Sequence, residues 1–119
     1  MSEENKRLNV ETEGDVTIVE FNDQKILDEI NIMEIGDQLN ELVAEATPPK
    51  LVLDFSAVAH MSSSALGVLI TMHKRVRTKE GGMALCNIQP TIYEIFVITR
   101  LNEIFDIHAS REEALASLA

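Results

Sequence analysis

Apolar and polar residues alternate twice early in the chain, at Leu8, Val10 and Thr12 and again at Val16, Ile18 and Glu20, with Glu13-Gly14-Asp15 between. Period-two alternation on both sides of a glycine-containing turn predicts a β-hairpin. Asn22-Asp23 marks a second turn, and Gln24-Lys25-Ile26-Leu27 a short third strand. The period then changes. Ile32, Ile35, Leu39, Leu42, Val43 and Ala46 recur at helical spacing. Asn31-Ile32-Met33-Glu34 has capping-box spacing at the front of that helix. Thr47-Pro48-Pro49 stops it, because a residue before proline avoids the helical region.

Leu51 to Phe55 follows as a buried strand and ends in a polar turn. Ser62-Ser63-Ser64 then opens a second helical pattern carrying Leu66, Leu69, Ile70, Met72 and Val76. Gly81-Gly82 is expected to end it by supplying a left-handed cap position. Met83 to Ile88 reads as another apolar strand. Pro90 suits the first turn of a third helix, with Ile92, Ile95, Phe96 and Thr99 on one face. Ile104, Phe105 and Ile107 suggest a last short strand, and Ser110-Arg111-Glu112-Glu113 a second capping box opening a helix through Ala114, Leu115 and Leu118. Strands alternating with helices imply parallel crossovers, to which the hairpin adds antiparallel pairing. The expected fold is α/β: one mixed sheet of four to five strands with about four helices packed on it. No repeat or linker interrupts the pattern, so residues 1–119 are expected to form a single domain.

Composition narrows the function classes. A hydrophobic fraction of 45% fits a globular chain, and with no Trp and one Tyr its core must be aliphatic. A formal charge of −10 argues against nucleic acid as a partner, since phosphate backbones are bound by Lys and Arg. The local exception, His73-Lys74-Arg75-Val76-Arg77-Thr78-Lys79, is read as cations complementing the dipole at a helix C-terminus. A single cysteine, Cys86, excludes an intrachain disulfide and fits a reducing compartment, where it serves as a small buried hydrophobe. The longest apolar stretch, near Ala65 to Met72, is far short of the ~20 residues that span a bilayer. The first seven residues hold no apolar run of the kind a signal peptide needs. A cytoplasmic protein without membrane insertion is expected.

Several chemistries lack their residues. His60, His73 and His108 have no second His or Cys at ligand spacing, so no metal site is expected. No G-x-S-x-G elbow surrounds the serines and no GK[ST] phosphate loop exists, so no catalytic residue and no cofactor are assigned. The serine triplet remains. One serine can cap the helix; the other two hydroxyls are left for another purpose, of which phosphorylation is one.

The stretch from the apolar strand through Asp54-x-Ser56-x-Val58-x-x-Met61-Ser62-Ser63-Ser64-Ala65-Leu66-Gly67 resembles the signature of STAS domains, in particular bacterial anti-sigma factor antagonists. The likeness extends to the opening hairpin, Ile26-Leu27-Asp28, Gly81-Gly82 and the Pro90 helix. In that family the first serine of an S-S-G-L-G or S-T-G-L-G core is phosphorylated by the anti-sigma factor, itself a serine kinase. The resemblance thus implies Ser63 as the acceptor with Ser62 as second choice, and a partner surface of Ser62, Ser63, Ser64, Ala65, Leu66 and the loop around Asp28. Ser62 stands where the family usually has an acidic residue, and Ala65 where it usually has Gly. Asp54 is expected to be a turn or cap group. The implied protein is not an enzyme. It is a monomer or weak dimer that captures an anti-sigma factor kinase until phosphorylated and is reset by a serine phosphatase. The alternative is a STAS scaffold subunit of a larger signalling complex, or a regulator docking on a transporter.

Overall fold

The two alternating runs form β1 (Leu8–Glu13) and β2 (Val16–Phe21), paired antiparallel across Gly14, whose φ of +64° favours glycine. The computed structural model describes residues 8–45 and 48–118. After β3 (Lys25–Ile26) come α1 (Glu29–Glu45), β4 (Lys50–Asp54), β5 (His60–Met61), α2 (Ser63–Thr78), β6 (Gly82–Cys86) and α3 (Pro90–Ile98). A 3-10 turn at Leu101–Glu103 then leads to β7 (Asp106–His108) and α4 (Arg111–Leu118). The main sheet has five strands in the order β1-β2-β4-β6-β7, parallel from β2 onward. This is the mixed α/β sheet with four helices that the pattern predicts.

Strand alternation divides the interior into two clusters. Val19 and Phe21 of β2, Leu51 and Leu53 of β4, and Met83 and Leu85 of β6 face α1, α2 and α3. On that side Ile32, Ile35, Leu39 and Val43 of α1 meet Leu66, Leu69, Met72 and Val76 of α2. Each such side chain contributes about 1.5–3 kcal/mol when fully buried, and that packing rather than helix propensity holds the two helices. Val16, Ile18, Val52, Ala84 and Cys86 point the other way, where α4 covers them with Ala114, Leu115 and Leu118. Burial pushes the Cys86 thiol up to about 12, as suits a packing residue.

Several boundaries differ from the sequence reading, each for a local reason. Helix α1 begins at Glu29, ahead of the Asn31 box, because the Asp28 carboxylate accepts the Ile30 amide at 2.8 Å and caps the helix itself. Ala46 of the expected helical stripe and Thr47 of the expected stop lie outside the described residues, as do residues 1–7. The left-handed residue after α2 is Glu80 (φ 60°), not a glycine. Gly81 is needed for a different reason: a Cβ there would lie 2.0 Å from the Pro49 carbonyl oxygen, and Gly82 packs under Leu118. Strand β6 ends at Cys86 because Asn87 turns left-handed (φ 56°), and β7 starts at Asp106, after the 3-10 turn has taken Ile104 out to solvent. Ser110 does cap α4, accepting the Glu113 amide at 3.2 Å, while Pro90 occupies the first turn of α3. Of the basic cluster, Lys79 serves a neighbouring helix: its ammonium donates to the carbonyls of Val43 (2.8 Å) and Ala44 (3.4 Å) at the end of α1.

Candidate functional site

The short strands β3 and β5 place the serines. They pair in parallel, Lys25 with His60 and Ile26 with Met61, and each runs straight into a helix. The N-termini of α1 and α2 therefore emerge side by side, Asp28 opening one and Ser62 the other. The Ser62 amide donates to the Ile26 carbonyl (3.1 Å), and the Ala59 and His60 amides to that of Gln24 (2.8 and 3.0 Å). Two-residue strands have no periodicity, so β5 left no trace in the hydrophobic pattern.

The three serines have different tasks. Ser62 is the N-cap, in extended conformation (φ −87°, ψ 167°), with its hydroxyl accepting the Ala65 amide at 3.2 Å. Ser62 is half-buried, whereas Ser63 and Ser64, in the first turn, are exposed. Their own amides have no carbonyl partner within the helix, and with the helix dipole they make an environment that favours negative charge. Ala65 and Leu66, expected at the partner surface, are core residues instead (4% and 6% exposed). They begin the buried stripe that continues through Leu69, Met72 and Val76, so the helix turns them toward the sheet.

Beside the serines lies an apolar surface that the sequence reading missed. Leu27 is 49% exposed, and Ile30 and Met33, one turn apart on α1, are each 66% exposed. Leu27 also borders a groove of about 260 Å³ lined by Ala59, His60, Met61, Thr91, Ile92 and Ile95. The sequence signal was available: Ile30 and Met33 fall off the Ile32-Ile35-Leu39 stripe, so they could not share its buried face. A second groove, about 290 Å³, lies between the far ends of α1 and α2, bordered by Arg75 and by Lys79.

Beneath the turn that leads to β5 sits Asp54, the one buried charged residue among those described. Oδ1 accepts the Ser56 amide (2.9 Å) and the Asn87 side-chain amide (3.2 Å); Oδ2 accepts Nη2 and Nε of Arg111 (2.7 and 3.2 Å). Burial pushes this carboxyl up, but the bonds from Arg111, Ser56 and Asn87 outweigh it and hold it below the usual carboxylate range. Asp54 is thus the turn group expected and also the buried half of an ion pair whose other half, Arg111, is partly exposed, a role the sequence did not show. No cluster of three or more His, Cys, Asp or Glu able to hold a metal occurs among the described residues. His73 lies edge-on to Phe105, ring centroids 5.3 Å apart, and His108 Nε2 is 2.9 Å from Asp106 Oδ1. No described helix is long and apolar enough to cross a membrane.

The model of the STAS domain matches residues 7–114. This chain belongs to the STAS domain family. Over 68 residues it is 34% identical to BtrV of Bordetella bronchiseptica, whose name marks it as a candidate anti-sigma factor antagonist; the match takes in 57% of this chain and 59% of that protein's length. It is 26% identical over 105 residues to the anti-sigma-B factor antagonist of Bacillus subtilis, covering 88% of this chain and 94% of the relative. Among solved structures, an anti-sigma-factor antagonist (STAS) domain protein from Planctomyces limnophilus superposes with a TM-score of 0.81 at 28% identity, covering 94% of this chain and 97% of that one. In this STAS domain the serine triplet occupies the α2 N-terminus, at the edge formed by β3 and β5.

Proposed function

We propose that this STAS protein is an anti-sigma factor antagonist switched by phosphorylation of Ser63, and that it performs no chemistry of its own. One observation carries the reading: Ser62 does the capping, which leaves Ser63 and Ser64 exposed and uncommitted at a helix N-terminus beside the Leu27, Ile30 and Met33 surface, and of these two the family resemblance favours Ser63. A phosphate there adds about −1.5 to −2 charges. The α2 N-terminus favours that charge by ~0.3–1 kcal/mol, so the fold tolerates it. A fitted apolar contact does not, because the dianion must be desolvated against a partner that was complementary to a hydroxyl.

In the unmodified form the partner covers Ser63, Ser64 and the rim of Ser62 and Asp28, with its apolar centre on Leu27, Ile30 and Met33. The names of the relatives support an anti-sigma factor as that partner, and the family resemblance supports a serine kinase that itself delivers the phosphate, with a serine phosphatase reversing it. A chain of charge −10 favours a partner whose rim is basic.

The test is capture of an ATP-binding anti-sigma kinase from the protein's own cells, identified by mass spectrometry, on wild type, Ser63→Ala, Ser63→Asp and Ile30→Asp. Wild type and Ser63→Ala should retain it. Each aspartate should weaken retention by about tenfold or more, the equivalent of ~1.4 kcal/mol, without changing the thermal midpoint. Retention unaffected by Ser63→Asp would contradict the switch; recovery in a large stable assembly would favour a scaffold.

A further inference from the structure

Asp54 joins two parts of the molecule that lie on opposite faces of the sheet. It follows the same alternation as Val52, so its carboxylate points toward α4, and Arg111 at the start of α4 reaches it from 57 residues away. Its two oxygens divide the work: Oδ2 takes both bonds from Arg111, and Oδ1 takes the Ser56 amide and Asn87. The Ser56 carbonyl is also held, by the Gln89 side-chain amide at 3.2 Å. From Ser56 the chain passes through Val58, whose amide bonds to the Phe55 carbonyl at 2.9 Å, into β5 and the Ser62 cap. The segment that delivers the serines is therefore pinned at its far end by β3 and at its near end by Asp54.

Arg111 has no reason to be where it is on account of α4. A cation in the first turn of a helix opposes the dipole. Its guanidinium instead faces Asp54, with Glu20 Oε2 at 3.7 Å and Glu11 Oε1 at 3.8 Å beyond. We propose that Arg111, acting through Asp54, is a positioning residue for the phosphoacceptor, so that the docking of α4 on one face of the sheet sets how well Ser63 is presented on the other. This rests on the reading of Ser63 as the acceptor. It makes α4 a handle through which a change remote from the serines alters the switch.

The test uses the double variant Asp54→Asn, Arg111→Met. Asn keeps an oxygen for the Ser56 amide, and removing both charges strands neither. Arg111→Lys is the conservative variant. Amide exchange across residues 55–62 is measured on purified protein, and phosphate occupancy of Ser63 on protein recovered from its own cells. In the double variant exchange should rise about tenfold in this segment while Leu51–Leu53 and the core of α1 stay protected. Ser63 occupancy should fall about threefold or more where wild type is mostly modified, with Arg111→Lys recovering most of it. Should the double variant not fold, Asp54→Asn alone carries the same comparison, because the guanidinium it leaves behind is partly exposed and has Glu20 and Glu11 beside it. Wild-type protein phosphorylated on Ser63, with a variant equal to it in both occupancy and exchange, overturns the positioning role alone. Wild-type protein never phosphorylated on Ser63 overturns the acceptor reading and this role with it.

Discussion

The division of labour among the serines has a direct thermodynamic consequence. Replacing Ser62 by Ala removes the oxygen that accepts the Ala65 amide at 3.2 Å and leaves that first-turn donor without its cap. Loss of a serine N-cap costs about 1 kcal/mol. For 119 residues the unfolding entropy near the midpoint is about 0.25 kcal/mol/K, so the midpoint should fall by about 4 °C. Ser63 is exposed and Ser62 already does the capping, so Ser63→Ala should stay within about 0.5 kcal/mol, a shift of ~2 °C or less. Ser64→Ala should behave like Ser63→Ala. The assay is thermal unfolding followed by circular dichroism at several scan rates, with reversibility checked. A Ser63→Ala midpoint as low as that of Ser62→Ala, or no loss for Ser62→Ala, would refute the assignment of the cap and with it the argument that Ser63 is free for modification.

Two glycines form a matched pair. Gly81→Ala places a methyl 2.0 Å from the Pro49 carbonyl oxygen, backbone that cannot step aside cheaply, and should cost about 1–3 kcal/mol; Gly67→Ala, on the exposed side of α2 with nothing within 4 Å, should gain about 0.5–1 kcal/mol. Thermal midpoints of the two variants check both signs. Burial and the nearby Arg77 hold His73 below its ordinary value, so below about pH 6.5 the unfolded chain takes up a proton that the folded one resists. Stability should therefore fall as pH drops below about 6.5, and urea titrations of His73→Gln should show a flatter slope there, whatever its absolute stability.

How far the sequence disclosed this molecule can be judged element by element. Period-two alternation was enough for β1 and β2, and continuous apolar runs bounded by turns for β4 and β6; which of the two clusters each β4 and β6 side chain joins follows from one-residue parity. The 3.6-residue stripe was enough for the buried faces of α1 and α2. Caps were harder. Asp28 and Asn31 are both competent first residues, and only the chain's exit from β3 chooses Asp28. The same ambiguity applied to the serines, three equal hydroxyls in sequence that backbone conformation separates into one cap and two free groups. Ala65 and Leu66 were misplaced by treating a contiguous motif as a contiguous surface, when the ~100° step of a helix leaves Ser63 and Ser64 exposed and carries the next two residues onto the buried stripe with Leu69. The Asp54–Arg111 pair was invisible for a different reason: nothing local relates two residues 57 apart, and an arginine within a Ser-x-x-Glu box reads simply as part of a cap.

The central claim is that Ser63 is a reversible phosphoacceptor. Intact-mass and fragment-ion spectrometry of the protein recovered from its own cells under several growth conditions tests it most directly. The account expects a single phosphate, localised to Ser63, present in some conditions and absent in others, with Ser62 unmodified. A protein that is never phosphorylated, or that carries its phosphate on Ser62 while Ser63 stays bare, would contradict it.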